Sequence, residues 1–283
     1  MKKLLMITTG GTIACGSTDT GGLAPEKSGA DMLPVLDGIK LDTLDLYAID
    51  STDVTPAHWR RLYDAVTGAL PDYDGIVILH GTDTMAYTGA VLAFTLRTEK
   101  PVVLTGSMIP LGEANSDAED NILFACESAA SDKLHGVWLA FHGRLIGGAD
   151  IIKTDSGSKD ACRSYSGFVP TETFPFPHKN VQFPAVVKLT PFTGADDIIR
   201  ASTGHSALVI ETYGAGGLPD GEITDTVCEL AKNTRVIITT PCLGGTDLKR
   251  YEVGMRALNA GAESGSKMST ECAAVYIWFS EDK

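Results

Sequence analysis

Gly75-Ile76-Val77-Ile78-Leu79-His80-Gly81-Thr82-Asp83-Thr84-Met85 is the stretch from which the fold can be read. Its opening run is unbroken apolar sequence dominated by Ile and Val, the composition of a strand buried on both faces, as in parallel sheets. A polar turn follows, and a helical pattern occupies residues 84–96. Strand, turn and helix in that order make one βα unit. Outward from it, similar apolar runs lie at residues 3–8, 44–49, 101–104 and 136–140. A helical segment fills residues 55–70, with Pro56 at the first helical position behind a capping Thr55. This alternation predicts a parallel sheet covered by helices.

The 283 residues exceed the ~250 at which single cores stop growing, so two domains are expected. The larger, residues 1–182, is an α/β domain with a mostly parallel, Rossmann-like sheet. Between 168 and 191, Pro170, Pro175, Pro177, Pro184 and Pro191 interrupt the rhythm and deny the stretch helix interiors and central strands. This stretch reads as an interdomain connection, with residues 183–204 as the linker. The alternation then resumes in a smaller C-terminal parallel α/β domain, residues 205–283. Its strands are expected at 207–212 and 235–240, and its helices at 225–233 and 248–259.

A formal charge of −13 gives a negative surface potential that disfavours nucleic acid and anionic membranes as partners. Thr8 and Gly10 cut the first apolar run short of a secretion signal, and no run approaches the ~20 apolar residues that span a bilayer. Six cysteines without a close pair read as reduced thiols, so a cytoplasmic location is expected. No His or Cys cluster has zinc-site spacing, and neither a metal nor a cofactor is expected.

In open α/β sheets, ligands bind beyond the carboxyl ends of the strands, which directs attention to the loops after residues 8, 49 and 79. After the first strand stands Thr9-Gly10-Gly11-Thr12-Ile13-Ala14. Its glycines, Gly10 and Gly11, permit a tight turn and leave a backbone N–H free to face a ligand, with the Thr12 hydroxyl projecting from that loop. The turn fits neither the dinucleotide nor the phosphate-loop pattern. After residue 79, Thr82, Asp83 and Thr84 crowd three polar side chains into one turn. A helix cap needs only one of them. Lys153, taken alone, has the character of a solvated surface charge.

The Thr-Gly-Gly-Thr-Ile-Ala start and the segment ending His80-Gly81-Thr82-Asp83-Thr84-Met85, in this order, resemble the bacterial-type L-asparaginase family, in its cytoplasmic type I branch. The likeness extends through Asp50-Ser51-Thr52-Asp53, Thr105-Gly106-Ser107-Met108-Ile109-Pro110, Lys153-Thr154 and Glu211-Thr212-Tyr213-Gly214-Ala215-Gly216-Gly217-Leu218-Pro219. The resemblance implies an amidohydrolase that converts L-asparagine to L-aspartate and ammonia, working as a homodimer or homotetramer. It implies Thr12 as primary nucleophile and Thr82, Asp83 and Lys153 as a hydrogen-bonded second group. It also places the substrate's α-carboxylate at Ser51 and its α-amino group at Asp83 beside Thr52, with Gly11 and Ser107 among the binding positions. The chemistry is coherent, because a threonine hydroxyl is a weak nucleophile that needs a base within reach, and Lys153 acting through Thr82 can supply one. Backbone N–H groups near Gly11 and Asp83 suit an oxyanion, one such donor being worth ~3 kcal/mol.

Three departures accompany the likeness. Leu23 stands in Gly21-Gly22-Leu23-Ala24-Pro25 where many members carry a tyrosine, although the glycines suit a mobile lid. The chain stops at Lys283, where members usually continue into another helix. Asp247 stands where relatives often have asparagine, in a loop, 242–248, expected to complete a neighbour's site. Two other readings share the motifs: a non-catalytic amino-acid-binding module, and the asparaginase-like subunit of a tRNA-dependent amidotransferase, which carries an extra N-terminal domain.

Overall fold

The computed structural model describes residues 1–17, 23–25, 27–34, 36–176 and 183–280. The described chain forms two compact units, Met1–Ser164 and Tyr165–Lys283. In the first, β1 (Lys2–Gly10) leads through a short hairpin, β2 (Cys15–Ser17) and β3 (Leu23–Pro25), to β4 (Ile39–Ile49). Then follow α1 (Pro56–Ala69), β5 (Gly75–Leu79), α2 (Met85–Thr95), β6 (Pro101–Thr105), α3 (Ala118–Ala129), β7 (Gly136–Phe141) and β8 (Arg144–Gly147). A final antiparallel pair joins β9 (Ile151–Lys153) to β10 (Cys162–Ser164).

Six of these strands make one sheet in the order β4-β1-β5-β6-β7-β8, parallel except for the antiparallel edge β8. Alternation within each central strand feeds two cores. Leu5, Ile7, Ile76, Ile78, Val102 and Leu104 pack on one face with Leu62 and Val66 of α1 and Leu92 of α2. Leu4, Met6, Val77, Leu79 and Val103 pack on the other with Ile122 and Cys126 of α3. Burial on both faces is why these runs are continuously apolar. The chain leaves β1 toward β4 on one side and returns to β5 on the other. The sheet therefore has a topological switch point at the carboxyl ends of β1 and β5.

The second unit holds β11 (Ala185–Lys188), α4 (Ala195–Ser202), β12 (Ala207–Glu211), α5 (Glu222–Leu230), β13 (Arg235–Thr239), α6 (Glu252–Ala260), β14 (Glu263–Ser264) and α7 (Thr270–Phe279). Its four strands are parallel in the order β11-β12-β13-β14.

The structure departs from expectation in several stretches. The stretch 183–204, expected as linker, contains β11 and α4. Pro184 is compatible with a strand because β11 lies at the sheet edge, where a missing N–H breaks no ladder. By packing, the compact units divide after Ser164. The Tyr165 hydroxyl donates to the Thr240 carbonyl at 2.8 Å, and the rings of Phe174 and Phe176 pack on Tyr276 and Trp278, so this stretch belongs to the second unit. The helix expected at 248–259 is broken at Tyr251, whose backbone is extended between a short 3-10 turn (Leu248–Arg250) and α6. Gly21 and Gly22 lie outside the described residues, as does the Leu23 side chain. Among the described residues no helix is long and apolar enough to cross a membrane.

Candidate active site

Three strand-end turns meet at the switch point of the first sheet. Gly11 follows β1 with φ of 79°, and a Cβ there would lie 2.3 Å from the Gly81 Cα. A Cβ on Gly81 would in turn fall 2.5 Å from the Ser51 hydroxyl oxygen. Only glycine permits this approach of the turns after β1, β4 and β5. Further bonds fix the stack: the Thr9 hydroxyl donates to the Leu79 carbonyl at 2.8 Å and the Thr84 hydroxyl to the Ser51 carbonyl at 2.8 Å.

None of the three polar side chains ahead of α2 caps that helix. Its N-cap residue, Thr84, makes no capping bond and reaches for Ser51. Thr82 and Asp83 engage Lys153, whose Nζ donates to the Thr82 hydroxyl at 2.8 Å and to the Asp83 carboxylate at 2.7 Å. Lys153 comes from β9, paired to β10 opposite Cys162 and packed against α2, where Ile151 fills the space over Gly89. Thr82 is buried, whereas the Asp83 side chain is half exposed. Thr12 opens a 3-10 turn (Thr12–Ala14), and its hydroxyl has no hydrogen bond among the described residues. An unengaged hydroxyl thus sits one glycine from a turn carrying a lysine-bonded threonine and a carboxylate.

Ser51 is buried at the start of a second 3-10 turn (Ser51–Asp53). Thr52 is exposed, and both its backbone N–H and its hydroxyl donate to Asp50, at 2.8 and 2.9 Å. Ser107 lies after β6 and is 1% exposed, and its hydroxyl donates to the Ile109 carbonyl at 2.7 Å. Its own peptide N–H and C=O have no hydrogen bond among the described residues, so backbone is what this loop offers a ligand.

Sequence reasoning passed over the support behind these turns. His80 is fully buried, and burial pushes its imidazole down to about 4, so the ring is neutral near pH 7. Nδ1 lies 2.7 Å from the Gly81 carbonyl, which can only accept, so that nitrogen carries the proton. Nε2 then accepts from the Thr88 hydroxyl at 2.9 Å, and Thr88 accepts from the Trp59 indole N–H at 2.9 Å. This chain of bonds fixes the Gly81 peptide from the core side. Among the described residues no group of three or more His, Cys, Asp or Glu side chains is arranged to hold a metal ion.

The model of the N-terminal asparaginase domain matches residues 3–174, and that of the glutaminase/asparaginase C-terminal domain matches residues 185–279. The chain belongs to the asparaginase family. The L-asparaginase of Thermococcus kodakarensis is 38% identical to it over 95% of this chain and 89% of that protein. L-asparaginase 1 of Escherichia coli K12 is 31% identical over 82% of this chain and 75% of that protein. The solved structure of the thermostable L-asparaginase from Thermococcus kodakarensis has a TM-score of 0.85 at 36% identity, covering 98% of this chain and 92% of that one. For an asparaginase-family chain, the cluster at the switch point joins Gly11, Ser51, Thr82, Asp83 and Lys153, the residues singled out from sequence. Thr52 lies at its exposed margin, and Ser107 lies in the next loop along the sheet.

Proposed function

We propose that this chain is an L-asparaginase that hydrolyses the side-chain amide of L-asparagine with Thr12 as nucleophile. The observation that carries this reading is the Lys153–Thr82–Asp83 cluster, at 2.8 and 2.7 Å, beside an unengaged Thr12 hydroxyl and spared from helix capping. Thr12 Oγ attacks the amide carbon as its proton passes through Thr82 to the neutral Lys153 amine, which hands it on to the leaving nitrogen. The tetrahedral intermediate collapses by breaking the C–N bond, and the nitrogen leaves as ammonia with a proton. Water then attacks the acyl carbon, its proton is relayed through Thr82 and the neutral Lys153 amine to Thr12 Oγ as the acyl C–O bond breaks, and aspartate leaves with the Thr12 hydroxyl restored. Backbone N–H groups of the Gly81–Asp83 turn, unengaged among the described residues, are available to the developing oxyanion, whereas the Gly11 N–H, expected to serve it as well, is spent on the Ile49 carbonyl at 3.0 Å.

Asp83, with Thr52 adjacent, receives the α-amino group of the substrate, and Ser51 its α-carboxylate. Glutamine is one methylene longer, a difference worth only ~1–3 kcal/mol, so weaker glutaminase activity accompanies the main reaction. The enzyme is cytoplasmic and works as a homo-oligomer, in which the exposed loop around Asp247 completes a neighbouring site.

The test is ammonia release from L-asparagine and, separately, L-glutamine by the purified chain and by its Thr12→Ala and Lys153→Met variants. Turnover lost in both variants supports the mechanism. A folded wild-type protein that binds asparagine and releases no ammonia would instead be an amino-acid-binding module.

A further inference from the structure

The loop after β6 is held by two buried residues of another element. Asp117 stands at the start of α3 but does not cap it. Its carboxylate turns back to accept the Met108 N–H at 3.1 Å and the Ile109 N–H at 3.0 Å. One turn further along, Asn121 donates from its amide nitrogen to the Gly106 carbonyl at 2.9 Å and to Asp117 at 3.0 Å. The Asn121 carbonyl accepts from the backbone N–H of His142 at 2.9 Å. His142 opens the turn after β7 with φ of 47°, a left-handed conformation uncommon for a residue with a side chain. The Ile109 carbonyl is taken by the hydroxyls of Ser107 and Ser116.

The Gly106 C=O, the Met108 N–H and both backbone groups of Ile109 are thus satisfied around the Ser107 peptide, whose own N–H and C=O have no hydrogen bond among the described residues. A loop with mobile neighbours would present that peptide in many orientations, whereas this one is fixed from both sides by side chains that are themselves buried and bonded. Preorganisation of this kind lowers the ordering cost of binding.

We propose that Asp117 and Asn121 are positioning residues for the reaction: they hold the Ser107 peptide in the orientation the substrate requires, and Asn121 couples that loop to the turn after β7. This rests on the reading of Ser107 as a substrate-binding position of an L-asparaginase.

The test is steady-state hydrolysis of L-asparagine by wild type, Asn121→Ala and the milder Asp117→Asn, with thermal unfolding followed in parallel. A merely structural role would lower the Tm and the amount of active enzyme, reducing apparent kcat and leaving KM unchanged. Positioning predicts that KM rises about tenfold or more in both variants. KM within twofold of wild type in both would overturn the proposal while leaving the functional reading intact. A wild type that releases no ammonia would overturn that reading, and this inference with it.

Discussion

The two parallel sheets of this chain end in opposite conditions at their carboxyl edges. In the first unit, the strand ends present a Thr12 hydroxyl without a partner and a half-exposed Asp83 carboxylate bonded only to Lys153, among the described residues. In the second, Glu211 at the end of β12 is bonded to Lys188 at 3.0 Å and to the Thr270 hydroxyl at 2.8 Å, and Thr270 meets Thr239 at 3.0 Å. The Thr212 and Thr240 hydroxyls are likewise spent on the carbonyls of Thr239 and Gly214. One edge keeps polar groups available, and the other has closed on itself.

Strand order explains the difference. The first sheet reverses direction at β1, so the loops after β1 and β5 leave to opposite sides and open a crevice between them. In the second, β11, β12, β13 and β14 follow in sequence, with no reversal. Polar groups at that edge find no crevice and must be satisfied by one another. Similar parallel sheets thus yield a site in one unit and a structural knot in the other.

The comparison is tested most severely by paired substitutions. Thr12→Ala at the open edge should lower kcat for L-asparagine by roughly 10⁴-fold with little change in thermal unfolding, since losing a nucleophile removes a whole reaction route. Glu211→Gln at the closed edge should leave kcat within twofold. Comparable losses from both would erase the functional distinction between the edges.

A second prediction concerns the core behind the open edge. Buried His80 stays neutral down to about pH 4, whereas the unfolded chain protonates it near its ordinary value of 6.5. Between these values the unfolded state binds more protons, so stability falls as pH drops through the window. By pH 4 the contribution reaches about 3 kcal/mol. Denaturant unfolding at pH 7 and pH 4.5 should show this fall in wild type, and His80→Gln should flatten it. An equal pH dependence in both proteins would remove His80 as the cause.

Next comes Gly81→Ala, whose Cβ would meet the Ser51 hydroxyl at 2.5 Å. The turns after β4 and β5 must separate to accept it. A misplacement of this size should reduce kcat/KM by about 100-fold. Ammonia release measured beside Gly68→Ala, where an added Cβ meets nothing, separates crowding of the site from general loss of a glycine.

Much of this arrangement was legible in sequence because its signals are local. The continuous Ile76-Val77-Ile78-Leu79 run marks a doubly buried strand, and more polar side chains than one cap needs mark the turn after it. What escaped was either masked locally or formed over long range. α7 (Thr270–Phe279) is buried on nearly every side, so it shows no apolar stripe with helical spacing. The prolines around residues 184–191 hid β11, because their veto on strands does not apply at a sheet edge. Nothing near Asp117 in sequence indicates that its carboxylate serves the N–H groups of residues 108 and 109. His80 belonged to the recognised motif, but its role depends on Thr88 and Trp59, which only the packing of α1 against α2 brings within reach.

The smallest effect tests the closed edge from the stability side. Thr270→Val preserves shape and removes the hydroxyl that donates to Glu211 and meets Thr239. Glu211 retains Lys188, so the loss is one charge-assisted hydrogen bond together with the desolvation of a partner left short. That should lower unfolding stability by about 1–2 kcal/mol, readable as a reduced denaturant midpoint at unchanged slope. If the second edge is purely structural, kcat and KM for L-asparagine remain at wild-type values in this variant. A rise in KM with no loss of stability would mean that the Glu211 cluster takes part in ligand binding, and the contrast between the two sheets would then be one of occupancy and not of kind.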